Sequence, residues 1–108
     1  MPDTQATTDT PPNTTNAAAD ARADAVLYVK SGCPWCEDAL RAFHARGLAA
    51  QVRDVIRDPE ARQRMLEISR QTKCPTFECG GFVVADFDMA EFDAALAAAP
   101  AELRARFS

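Results

Sequence analysis

The sequence predicts an α/β domain of order β-α-β-α-β-β-α, a four-stranded mixed sheet flanked by about three helices. Three observations carry this prediction. The run AVLYV at 25–29 is continuous, apolar and β-rich, as in a strand buried on both faces. Two stretches after it repeat their apolar residues at helical spacing, with a second β-rich stretch between them. A third β-rich stretch is split by Gly80-Gly81, which reads as a hairpin turn.

The elements follow in order. After the first strand, Cys36, Ala39, Leu40 and Phe43 share one helix face, and Gly47 ends that helix. Pro34 suits its first turn, where a missing N–H leaves nothing unpaired. Residues 49–56, AAQVRDVI, alternate enough for a second strand. Asp58 is the expected N-cap and Pro59 the first residue of a second helix, with Ala61, Met65 and Ile68 as its apolar stripe, ending near Arg70. In the hairpin of 74–87, Phe77 and Cys79 share one face of a strand and Val83-Val84 form the return. Asp88 with Glu91 has the spacing of a capping box, Met89, Phe92 and Leu96 give a third helix its core face, and Pro100 stops it. AELRARF adds a last helical turn. The first βαβ unit should be parallel with a right-handed crossover.

The ordered domain is expected to span 24–108. Residues 1–23 hold no Val, Ile, Leu or aromatic residue and are rich in Thr, Pro, Ala, Asn and Asp. Such a segment buries too little surface to offset the entropy of ordering it, so a disordered tail is expected. It has neither the basic start nor the apolar stretch of a secretory signal, and no later run approaches membrane-spanning length. A cytoplasmic protein with no membrane partner is expected, in a compartment where thiols stay reduced. Asp3, Asp9, Asp20 and Asp24 against Arg22 place most of the net charge of −4 before the domain. The remainder is near neutral, with arginines interspersed among acids, which offers no field for nucleic acid. No apolar stripe is left over for self-association, so a monomer is expected.

The stretch VKSGCPWCEDAL, residues 29–40, concentrates the chemistry. A C-x-x-C pair that follows a buried strand and opens a helix sets Cys33 among unpaired N–H groups and positive potential, which stabilise a thiolate. Cys36, one turn further in, is placed to resolve a mixed disulfide formed on Cys33. The alternative is a metal centre built from Cys33, Cys36, Cys74 and Cys79. The C-x-x-x-x-C spacing of the second pair, Pro75 directly after Cys74, and the stiff or bulky Pro34 and Trp35 argue against a zinc knuckle. No metal ligands are assigned, and a metal- or iron–sulfur-binding module stays as the lesser reading.

YVKSGCPWC, then TKCPTF, then a hairpin and a helix together resemble the glutaredoxins, of the thioredoxin fold, over about residues 25–98. Cys33, Pro34, Trp35 and Cys36 match that family's C-P-aromatic-C site position by position, with tryptophan where tyrosine is commoner. The resemblance implies a glutathione-dependent thiol–disulfide oxidoreductase that reduces protein disulfides or glutathione mixed disulfides. Cys33 would be the nucleophile and Cys36 the resolving thiol. Glutathione would be a co-substrate, with no tightly bound cofactor, and disulfide-bearing proteins would be the partners. Lys30 would pair with a glutathione carboxylate, Trp35 would wall the groove, and Arg62 would face the glycine carboxylate, with Gln71 and Thr72 as lesser candidates. Pro75 would be cis and would turn the backbone of Cys74 toward substrate, and Asp88 would keep the acid at the third helix's N-terminus.

Two departures stand out. The family carries a Gly-Gly pair after its fourth strand for the γ-glutamyl end of glutathione, whereas this chain reads VVADFDMAEF, so Asp86 and Phe87 are expected to narrow or repel that end. A flavin-dependent reductase is then the alternative electron donor. The second departure is Cys74, which stands where valine or threonine is usual and is either a small apolar filler or a third redox thiol. Cys79 is expected to be buried and inert, and His44 to take no part.

Overall fold

The structure, a computed structural model, describes residues 14–15 and 23–107. Its strands are β1 (Thr14–Thr15), β2 (Ala25–Val29), β3 (Gln51–Asp54), β4 (Thr76–Cys79) and β5 (Phe82–Ala85). Its helices are α1 (Pro34–Ala45), α2 (Pro59–Ser69), α3 (Met89–Ala97) and α4 (Ala101–Phe107). The sheet order is β1-β5-β4-β2-β3. β2 and β3 are parallel, with Val26 opposite Gln51 and Val29 opposite Asp54. β4 is antiparallel to β2 and to β5, so Leu27, Phe77 and Val84 line up across three strands. This is the expected mixed sheet of a thioredoxin-like fold. The short β1 is added to it, antiparallel to β5 through Val83 and Val84. That pair lies inside the stretch expected to be a disordered tail; the rest of residues 1–22 lies outside the described residues.

One sheet face is an aromatic core. Phe77 meets Phe43 of α1, Phe92 of α3, Phe107 of α4 and Phe82 of β5 edge-on, with ring centroids 5.2–6.1 Å apart. Helix α4 is a full seven-residue element rather than a last turn. Pro100 begins it as much as it stops α3, because its carbonyl accepts the N–H groups of Leu103 and Arg104. Leu103 and Phe107, both fully buried, then tie α4 to the core.

The other face belongs to α2. Tyr28 and Glu78 are buried there, and the Arg64 guanidinium Nε donates to both carboxylate oxygens of Glu78 at 3.2 Å. Burial pushes the pKa of the Tyr28 phenol up to about 12, and the neighbouring Glu78 carboxylate adds to the rise.

Strand β3 is shorter than expected. The Asp54 carboxylate accepts the N–H groups of Ile56 and Arg57 at 2.8 and 3.2 Å, which turns the chain out of the sheet. Asp58 caps α2 by accepting from Glu60 and Ala61, with Pro59 at the first position. Arg70 closes α2 in the left-handed region at φ 58°, the conformation usually left to glycine.

The Asp58 carboxyl is held below its ordinary value of 3.8, first by the bond from Arg53 and then by the capped N–H groups. Its folded pKa therefore lies below its unfolded one. The unfolded chain binds the extra proton, and the stability it confers is present above 3.8 and lost as pH falls through the lowered value. Asp58→Asn should flatten the acid limb of stability; denaturant midpoints measured from about pH 5 down to about pH 2 check this.

Candidate active site

The site is built where β2 ends. Lys30, Ser31, Gly32 and Cys33 form a tight turn closed by the Cys33 N–H on the Lys30 carbonyl at 3.3 Å. Gly32 takes φ 80° at the third position, where a side chain would be strained even though the space beside it is open. Cys33 is then the N-cap of α1, with an extended backbone, and its sulfur accepts the Cys36 N–H at 3.3 Å. Pro34 and Trp35 occupy the first turn, and Trp35 is 60% exposed. Cys33 is half-buried and Cys36 is buried beneath it. Burial, and then the bond with Cys33, push the Cys36 thiol up to about 12, so it is protonated at neutral pH.

The loop before β4 completes the site. The Cys74–Pro75 peptide bond is cis, as expected. The Cys33 thiol faces the Cys74 carbonyl oxygen at 3.8 Å. The Cys74 thiol is buried and donates to Met65 Sδ at 3.7 Å. Burial pushes it up to about 11, while the nearby charge of Lys30 draws it down. The half-buried Cys33 sulfur and two protonated, buried thiols predict a reactivity order. Brief iodoacetamide treatment of the reduced protein near neutral pH should label Cys33 alone, with Cys36, Cys74 and Cys79 labelled only after denaturation. Peptide mass mapping checks this.

The structure brings Lys30, Trp35, Cys33, Cys36, Cys74 and Pro75 together, and places the other candidates differently. Arg62 lies exposed in the first turns of α2, which starts at the same end of the sheet, and its guanidinium pairs with no acid among the described residues. The carboxylate of Asp88 accepts the Glu91 N–H at 2.8 Å, and Glu91 accepts the Asp88 N–H at 3.0 Å, so both groups serve the capping box. Gln71 is a correction. Its amide bonds Ser69, Thr76 and the backbone of Lys73, so it fastens the loop that carries Cys74-Pro75 rather than facing a ligand. Phe87 is a second correction. It turns inward against Phe92 and is buried, so its side chain does not narrow the groove. Asp86 does remain exposed there, at φ 53°, with its carboxylate 4.0 Å from the Lys73 ammonium.

Sequence reasoning missed one brace. Ser31 Oγ donates to Asp54 Oδ2 at 2.7 Å and ties the turn before Cys33 to the end of β3. The two residues are 23 positions apart and carry no motif, so only the parallel register of β2 and β3 reveals the pair.

Cys79 lies at the other end of the sheet. It is paired with Ala25, where β2 begins, and its thiol meets the Ala23 carbonyl and Arg106. The four cysteines therefore do not converge on one ion. Among the described residues no group of three or more His, Cys, Asp and Glu side chains is arranged to hold a metal. An open cavity of about 500 Å³, lined by Asp24, Leu48, Gln51 and Arg106 among others, also lies at that far end and holds no thiol. Among the described residues no helix is long and apolar enough to cross a membrane.

Comparisons with known proteins agree with this fold. The thioredoxin-like protein BC3987 is 27% identical, with a TM-score of 0.61, over 68% of this chain and all of that one (100%). The glutaredoxin of Archaeoglobus fulgidus shares the fold at 19% identity and TM-score 0.58, over 67% of this chain and 84% of its own. The dithiolic glutaredoxin 2-C-Grx1 of Trypanosoma brucei brucei does so at 18% and 0.58, over 100% of this chain and 98% of its own. The curated proteins give no match. The glutaredoxin family model matches residues 25–84, which covers strand β2, the cysteine pair, the cis-proline loop and the hairpin. That match spans more than half of the chain and supports thiol–disulfide oxidoreductase chemistry: the chain belongs to the glutaredoxin family.

Proposed function

We propose that the protein is a glutathione-dependent thiol–disulfide oxidoreductase acting on protein disulfides or glutathione mixed disulfides. The observation that carries this reading is Cys33 at the N-cap of α1, half-exposed, with its sulfur receiving the Cys36 N–H and facing the cis Cys74–Pro75 backbone. That sulfur is the one thiol of the site open to solvent at a helix N-terminus, which places it to attack a substrate disulfide.

In the proposed cycle, Cys33 attacks the glutathione sulfur of a mixed disulfide and the substrate thiolate leaves. A second glutathione thiolate then attacks the glutathione sulfur held on Cys33. Oxidised glutathione leaves and the Cys33 thiolate returns. With a protein disulfide, Cys36 loses its proton and attacks the Cys33 sulfur, releasing the substrate thiol and leaving a Cys33–Cys36 disulfide for glutathione to reduce. Lys30 and Arg62 are the cations proposed for the glutathione carboxylates, Trp35 the groove wall, and the Cys74-Pro75 backbone the strip that pairs with substrate. Asp88 is proposed to act at the γ-glutamyl end only through its place beside that strip. We take the protein to work as a cytoplasmic monomer with no tightly bound cofactor.

A second reading has one observation in its favour. The exposed carboxylate of Asp86 adds negative charge where the family takes the γ-glutamyl end, and the Asp88 groups are already engaged. On that reading the electrons come from a flavin-dependent reductase. The test is reduction of a small glutathione mixed disulfide, run with glutathione, glutathione reductase and NADPH, beside a parallel assay with thioredoxin reductase. Turnover in the first supports glutathione as donor. A stable Cys33–Cys36 disulfide reduced only in the second moves the assignment to the flavin enzyme.

A further inference from the structure

A thiolate attacks a disulfide along the line of the bond it breaks, so the direction in which the Cys33 sulfur points matters as much as its exposure. The turn that carries it has little packing to hold it in place. Ser31 and Gly32 are exposed and Lys30 is half-buried. Gly32, at φ 80°, has open space where a side chain would stand. The bond inside the turn, from the Cys33 N–H to the Lys30 carbonyl, is long at 3.3 Å. Among the described residues, the one side-chain hydrogen bond from Lys30, Ser31 or Gly32 to the rest of the fold runs from Ser31 Oγ to Asp54 Oδ2, at 2.7 Å. The far end of that bond is rigid. Asp54 is the last residue of β3, in register with Val29, and directly after it the Val55 N–H bonds the Val29 carbonyl at 2.9 Å. Its other carboxylate oxygen, Oδ1, accepts the N–H groups of Ile56 and Arg57. The bond from Ser31 first, then that from Ile56, holds the Asp54 carboxyl below its ordinary 3.8. At neutral pH the carboxylate therefore only accepts, and the Ser31 hydroxyl donates to it.

We propose that Asp54 is a positioning residue for the exchange reaction: through Ser31 it sets the turn from which the Cys33 sulfur is aimed at an incoming disulfide. This rests on the reading of Cys33 as the attacking thiol. The sheet supplies a fixed frame, the carboxylate carries it across to the next strand end, and the serine passes it to the turn two residues before Cys33. Beyond the turn the sulfur lies between the Cys36 N–H at 3.3 Å and the Cys74 carbonyl oxygen at 3.8 Å. A turn released from Asp54 keeps its helix but no longer fixes the sulfur between those two groups. In an oriented reaction a misplacement of about 1 Å costs on the order of a hundredfold in rate, so even a partial release is measurable. Asp54 touches no substrate and moves no proton. The covalent step is the same with and without it: the Cys33 sulfur bonds the attacked sulfur, the old disulfide bond breaks, and its electron pair leaves on the departing thiolate.

The test compares full-length wild type, Ser31→Ala, Ser31→Thr and Asp54→Asn. Threonine keeps the hydroxyl. Asparagine keeps one oxygen for the backbone N–H groups and turns its amide N–H toward Ser31 Oγ, so it removes the charge but not the brace. Each reduced protein is mixed with the mixed disulfide of glutathione and cysteine and quenched in acid, and the loss of the Cys33 thiol is followed by peptide mass. A parallel run with iodoacetamide, a small reagent that needs no alignment with a second sulfur, reports the reactivity of the same thiol, and urea midpoints report the fold. Ser31→Ala is expected to react with the disulfide about tenfold more slowly, with an iodoacetamide rate within about twofold of wild type and an unchanged midpoint. Ser31→Thr and Asp54→Asn are expected to keep most of the wild-type disulfide rate. A brace that served only the fold would shift the midpoint and leave the two rates in their wild-type ratio. A Ser31→Ala protein that matches wild type, or slows equally toward both reagents, overturns the proposal and leaves Cys33 standing as the nucleophile. An Asp54→Asn loss as large as that of Ser31→Ala also overturns it, because the effect then lies in the charge. Wild type that does not react with the disulfide at all removes both readings.

Discussion

Cys33→Ser is expected to reduce glutathione-driven disulfide reduction to the uncatalysed background, a loss on the order of a thousandfold or more, because the covalent step then has no nucleophile. No neighbour can replace it. Cys36 is buried with its thiol pushed up to about 12, and Cys74 is buried at about 11. Serine keeps the N-cap, since its hydroxyl accepts the same N–H, so the fold should survive and the loss should be chemical. Cys36→Ser should behave differently. Glutathione still reaches the half-exposed sulfur of Cys33, so activity on a small mixed disulfide should persist while reduction of protein disulfides falls. Steady-state rates for both substrates across the three proteins check this. Equal loss in both variants would sink the division of labour between attacking and resolving thiols.

Arg64→Ala is expected to cost about 2–3 kcal/mol of stability, with little effect on the thiols. Breaking a buried pair costs about 3–5 kcal/mol because one charge is left unpaired in the interior. The lower figure applies because half of the Arg64 side chain is already in water (51% exposed), which admits solvent to the gap. The abandoned group is Glu78, whose side chain is only 7% exposed. Glu78→Gln should cost less, since an amide keeps a bond to Arg64 and carries no charge to desolvate. Urea unfolding of the two variants checks the order. A shift in Arg64→Ala no larger than in Glu78→Gln would mean that the carboxylate does not depend on its partner.

The legible parts of this fold are those where local physics decides. AVLYV must be a strand because both its faces are apolar, and it is one, residue for residue. Asp58-Pro59 and Asp88 with Glu91 announce helix starts through hydrogen bonds made within a few residues, and both caps form. The cysteine pair was legible because its motif is contiguous, and the cis-proline only through the family resemblance that this motif carries. The parts that stayed hidden depend on distant partners. Residues 101–107 fill a helix because Leu103 and Phe107 find the aromatic face around Phe77. The brace from Ser31 to Asp54 follows from strand register. The inward turn of Phe87 follows from Phe92 being there to receive it, and the sequence alone could not distinguish a side chain that fills the core from one that fills a groove.

The separation of Cys79 from the other thiols has a practical consequence. It is fully buried, at the last pair of the hairpin beside its turn and at the far end from the exchange site. A reagent reaches that sulfur only when the hairpin comes apart, so the rate at which Cys79 is modified in otherwise folded protein counts opening events rather than redox turnovers. The chain thus carries its own clock of cooperative unfolding, one that can be read in the same mass spectrum as its catalytic chemistry.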